Sequence, residues 1–158
     1  MKTSTPAHPD ATAVLNRVRQ MLDQGQAENA LEVLNASGQN SLAIQNAKAV
    51  CLLRLGRLEG AVKIFRDLVF PSGAFSIPDD TPTLFRVNYV TALLLSDNLV
   101  VGLQLLREIP DKNHPAVVQL KAGVRQWKRS LPLWRRILLP IGLYPEKSFC
   151  LDFAPGHL

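Results

Sequence analysis

Apolar residues recur at helical spacing through most of this chain. Ala13, Val14, Val18, Met21 and Leu22 mark one face of a first helix, which Pro9-Asp10 can open because an acid in a first turn suits the helix dipole. Gln24-Gly25 separates it from a second run with Ala27, Ala30, Leu31 and Leu34 inward. A turn cluster at Ser37–Ser41 leads into the best-patterned stretch, Leu42–Phe70. In its second half Leu58, Ala61, Val62, Phe65, Leu68 and Val69 share one face, while Arg57, Glu59, Lys63, Arg66 and Asp67 take the other. Gly56 suits the left-handed residue that ends one helix and lets the next turn back, so the stretch is predicted to be a helical hairpin. Pro71–Pro82 carries three prolines and no periodicity, and is predicted to be a loop.

A further helix is expected through Leu84, Val87, Val90, Leu93 and Leu94, with a break at Ser96-Asp97-Asn98 and a partner from Leu99 to Ile109. His114-Pro115 opens a long helix to about Arg129, and Ser130 with Pro132 opens a short one to about Leu139. Near the end, Phe149, Leu151 and Phe153 alternate with polar or small residues, which suits an extended segment with one buried face.

Three stretches align: Gln24–Leu34, Leu55–Phe65 and Ser96–Leu106. In each, a turn residue (Gly25, Gly56, Asp97) is followed five positions later by a small one (Ala30, Ala61, Gly102), and four later by a large apolar one (Leu34, Phe65, Leu106). The small residue allows two helices to approach closely, and the large one fills the space toward the next hairpin. The turn residues are 31 and 41 positions apart. Hairpins repeated this way stack, each burying its apolar face on its neighbours.

On this pattern, strongest in Leu-Gly-Arg-Leu-Glu-Gly-Ala (residues 55–61), the chain resembles the tetratricopeptide repeat family over roughly residues 11–109. Its spacings depart from the 34 residues usual there. The resemblance implies an all-α, right-handed αα-hairpin solenoid of about three units, with C-terminal capping helices and an extended tail. It also implies a groove, lined by the first helix of each hairpin, that binds a peptide or partner protein. Carried over position by position, its polar groove residues are Asn16 and Arg19, then Asn46 and Arg54, then Asn88 and Thr91. Leu15, Leu53 and Leu95 are the expected apolar contacts. Ala43, Val50 and Leu84 stand where a clamp for a carboxylate-ended peptide would need cations, so that ligand is not favoured.

Charge changes the picture in one region. Residues 1–111 hold ten Lys/Arg against eleven Asp/Glu, and residues 112–158 hold eight against two. Lys121, Arg125, Lys128, Arg129, Arg135 and Arg136, with Trp127 and Trp134 among them, form a basic patch. It supports a second expectation, a module for nucleic acid or an anionic surface. The alternative is a solvated outer face on a capping helix.

No phosphate-binding glycine motif, metal-ligand spacing or catalytic set is visible in the sequence, so neither an enzyme nor a cofactor is expected. Cys51 lies in an apolar run and is expected to be a buried reduced thiol, which together with the absence of a signal-like start points to the cytoplasm. The predicted organisation is a flexible arm at 1–9, a helical repeat domain at 10–139 with Leu42–Phe70 as its structural keystone, and an extended tail at 140–158. That tail either packs over the last helices as a lid or enters a neighbouring molecule's groove. The groove itself is open, or filled by the 71–82 loop or the tail.

Overall fold

The computed structural model of the chain describes residues 10–71, 76–134 and 149–158. Among these residues there are seven α-helices and no strand: α1 (Ala11–Asp23), α2 (Ala27–Ala36), α3 (Leu42–Arg54), α4 (Leu58–Val69), α5 (Thr83–Leu95), α6 (Leu99–Glu108) and α7 (Pro115–Ser130). The expected arm at 1–9 and most of the short helix to Leu139 lie outside the described residues.

Side chains start several of these helices. The Asp10 carboxylate accepts from the Thr12 amide at 3.3 Å, and the Ser41 hydroxyl accepts from the Ile44 amide at 3.3 Å. At α7 the imidazole Nδ1 of His114 accepts from the Ala116 amide at 3.3 Å, with Pro115 in the first turn.

The repeated sequence pattern is repeated backbone geometry. Gly25, Gly56 and Asp97 have φ of 74°, 71° and 61°. The amide after each reaches back five residues, Gln26 to Met21, Arg57 to Leu52 and Asn98 to Leu93, every time at 2.9 Å. This is the Schellman closure, which satisfies carbonyls that a helix end would otherwise leave without partners. The small residues Ala30, Ala61 and Gly102 are buried, as are Leu34, Phe65 and Leu106. Glycine rather than alanine at position 102 has a local cause: a Cβ there would stand 2.8 Å from Cδ2 of Leu94.

Helices α1 to α5 each pack on the next in sequence, and α1 also meets α3, α3 meets α5, and α5 meets α7. The odd-numbered helices therefore stand side by side. Two apolar clusters result. One joins α1–α4 to Tyr89, Ala92 and Leu93 of α5. The other joins Val87, Val90 and Leu94 of α5 to α6, α7, Leu131 and Phe149. The expected keystone, Leu42–Phe70, belongs to the first cluster only. The joint is α5, buried continuously from Arg86 to Leu94 because a core lies on each side of it.

Residues 78–81, in the segment expected to be a loop, are held from α5. The buried Arg86 guanidinium donates to the carbonyls of Pro78 (2.6 Å), Thr81 (3.1 Å) and Asp79 (3.2 Å). Three carbonyl acceptors let a buried cation replace its lost water. Among the described residues no helix is long and apolar enough to cross a membrane.

The three turns make a direct test. A Cβ at Gly56 would meet nothing within 4 Å, so Gly56→Ala is strained by its backbone alone and should cost about 1–2 kcal/mol. Asp97→Gly should move the other way, gaining up to about 1 kcal/mol by relieving the same strain. Urea midpoints that fail to move in opposite directions would contradict the shared turn geometry.

Candidate functional site

The face formed by α1, α3 and α5 is occupied by residues 155–158 of the chain itself. Six hydrogen bonds join side chains of the helices to the backbone of this segment. From α3, Arg54 donates through Nε to the Pro155 carbonyl (3.1 Å) and through Nη2 to the Gly156 carbonyl (3.3 Å). Asn46 Nδ2 donates to the His157 carbonyl at 3.3 Å. From α5, Asn88 Nδ2 donates to the same carbonyl at 2.8 Å, while its Oδ1 accepts from the His157 amide at 2.9 Å. From α1, Arg19 donates to the Leu158 carbonyl oxygen at 3.1 Å.

These side chains hold one another in place. Asn88 Nδ2 also donates to Asn46 Oδ1 at 2.9 Å. Arg54 Nη1 donates to the Leu22 carbonyl at the end of α1 at 2.8 Å. Asn88 is completely buried, and its amide uses both its donor and acceptor capacity on this network. Its grip on the N–H and C=O of one residue resembles the contact a neighbouring strand would make, and reads backbone rather than side chain.

Apolar contacts complete the seat. Leu158 packs against the first core. Gly156 is buried with φ of 82°, and a Cβ there would stand 3.0 and 3.1 Å from the two methyls of Val50 and 3.4 Å from Leu53 Cδ2. Farther back, the Phe149 ring packs edge-on against Trp127 with centroids 5.4 Å apart. Leu151 and Phe153 lie over Gly123 of α7, where a Cβ would stand 2.8 Å from Leu151 Cδ2. From Phe149 to Phe153 burial alternates, with Cys150 and Asp152 exposed. The tail thus runs from α7 across α5 and α3 to α1, and a polar cavity of about 190 Å³ remains at its far end beside Arg19, Asp23 and Arg54.

Of the other expected groove residues, Leu53 lies under Gly156 in the seat and the rest lie elsewhere. Asn16 is exposed on α1. Thr91 is buried and its hydroxyl donates to the Val87 carbonyl at 2.8 Å, the helical back-bond open to threonine. Leu53 is buried, while Leu15 and Leu95 are partly buried against the cores. Sequence reasoning placed Val50 at a groove position only as a missing clamp cation, and missed Gly123 as part of the seat. A small residue within the basic helix was the only signal for Gly123.

In the basic patch, Lys121 and Lys128 are half-buried on α7, while Arg125 and Arg129 are exposed. Burial, then the charge of Arg107, pulls the Lys128 ammonium below its ordinary value. Trp127 is buried and Trp134 is exposed; Arg135 and Arg136 lie outside the described residues. Among the described residues no three His, Cys, Asp or Glu side chains stand together as metal ligands would. Cys51 is buried, with its thiol pushed up to about 11 by burial, and Cys150 is exposed; neither is in a disulfide.

Comparison with protein-family models, with curated proteins and with solved structures gave no match.

His157 makes the seat sensitive to pH. Burial first, then the charges of Arg54 and His114, hold its imidazole below the ordinary 6.5. The seated tail therefore binds fewer protons than the free tail, so seating is fully favoured above pH 6.5 and weakens as pH falls below it. The side-chain amide resonances of Asn88, which grips His157, should therefore move between about pH 7 and about pH 5. His157→Gln should flatten that change, and an unchanged profile in this variant would assign it to another group.

Proposed function

We propose that this chain is a non-catalytic adaptor, a right-handed solenoid of about three tetratricopeptide-like hairpins that holds an extended segment of a partner protein across α1, α3 and α5. One observation carries this reading: four side chains from three helices hold the backbone of residues 155–158. A groove that binds backbone through buried amides and a guanidinium accepts a segment by its extended shape, with affinity from main-chain hydrogen bonds and specificity from the notches beneath the side chains. The repeated turns and the row of odd-numbered helices support the solenoid. The basic patch supports a nucleic-acid or anionic-surface role less well, since two of its described cations, Lys121 and Lys128, are half-buried.

The test uses the full chain with its own tail loosened by Gly156→Val. This variant should bind an added synthetic peptide of residues 149–158 saturably and one to one by calorimetry. Adding Asn88→Ala should weaken that binding by about tenfold, from loss of two hydrogen bonds to buried groups worth about 0.5–1.5 kcal/mol each. No saturable binding, or equal binding without Asn88, would overturn the groove assignment.

A further inference from the structure

Backbone hydrogen bonds place a segment in the groove but do not distinguish one sequence from another. Two contacts of the tail do. The first lies under Gly156, where the Val50 methyls and Leu53 leave no room for a Cβ and the backbone takes φ of 82°. Any other residue would meet both the steric conflict and the left-handed strain. The second is the packing of Leu158 against the first core, two positions later. Between them His157 is held by its N–H and C=O, leaving the identity of that residue less constrained.

We propose that the groove selects an extended segment with glycine followed two residues later by leucine, and that the chain's own tail is a displaceable competitor for a partner segment of this kind. The proposal rests on the groove being a peptide site, and it adds which segment the site takes and what occupies it in the partner's absence. The tail is suited to compete rather than to lock. Its contacts with α1, α3 and α5 are confined to a few residues, and the bond from the exposed Arg19 at the Leu158 end faces solvent. A tethered segment acts at an effective concentration on the order of millimolar, so a free partner segment succeeds only by matching the same notches. Leu151 and Phe153 sit over Gly123 of α7, a contact that residues 149–153 of an added 149–158 peptide reproduce, so that peptide competes for the whole seat and its binding releases Cys150 with the rest of the tail.

The experiment labels Cys150, which is exposed while Cys51 is buried, and follows anisotropy in the intact chain as synthetic peptides are added. The peptide of residues 149–158 should bind saturably and lower the anisotropy as the tail is released. Its Gly156→Ala and Leu158→Ser versions should each require concentrations higher by about tenfold or more. Equal potency of the glycine and alanine peptides would overturn the selectivity. Peptide binding with no change at Cys150 would overturn the competition. Binding to the Gly156→Val chain but never to the intact chain would make the tail a permanent structural cover, and would also overturn it. Failure to bind either chain would instead sink the groove assignment beneath it. Should Gly156→Val lose its helical circular dichroism, a chain with Leu158→Ser serves as the loosened form.

Discussion

The carboxamide of Asn88 has no exposed surface, and a buried amide without partners is costly, roughly 1–3 kcal/mol for each group left unsatisfied. The chain meets this demand by bringing a backbone to it. The N–H and C=O of His157 close on the Asn88 amide, and Asn46 takes its remaining donor. Much of the surrounding arrangement follows from this constraint. Asn46 must sit opposite on α3, which requires α3 and α5 to be adjacent. The tail must cross the face in an extended form, and Arg54 then holds the two carbonyls before His157.

The adjacency comes from the hairpins. Each Schellman turn reverses the chain with the same closure, and each buried small residue sets how closely the paired helices approach. Successive hairpins then bring α1, α3, α5 and α7 into one row. Helix α5 carries a double load, since its apolar residues join two cores while Asn88 faces the tail and Arg86 holds the preceding loop. Apolar burial sets the frame, and a small number of polar side chains decide what lies across it.

The frame was legible because it is local. The turn–small–large pattern marks each hairpin within eleven residues, and helical periodicity gives the buried faces. Arg19, Asn46, Arg54 and Asn88 were named by carrying over the groove positions that the tetratricopeptide resemblance implies, and all four touch the tail. The same carry-over also named Asn16, which is exposed, and Thr91, whose hydroxyl is taken by its own helix. Position in a repeat does not say where the occupant of the face ends or whether a side chain prefers a nearby carbonyl. The tail was one of the alternatives for the groove, but the choice among them was not legible: Gly156 fits over Val50 across 106 positions of chain, and no periodicity links the two. The place of α5 was equally hidden, because a nearly continuous apolar run does not reveal that two separate cores share it.

The central claim is that the tail is seated by its backbone, and amide hydrogen exchange at His157 tests it most directly. Its N–H is donated to the buried Oδ1 of Asn88, so exchange should be slower than in an unstructured peptide by on the order of tenfold or more. Exchange of the His157 amide at the unstructured rate in the intact chain would contradict the account.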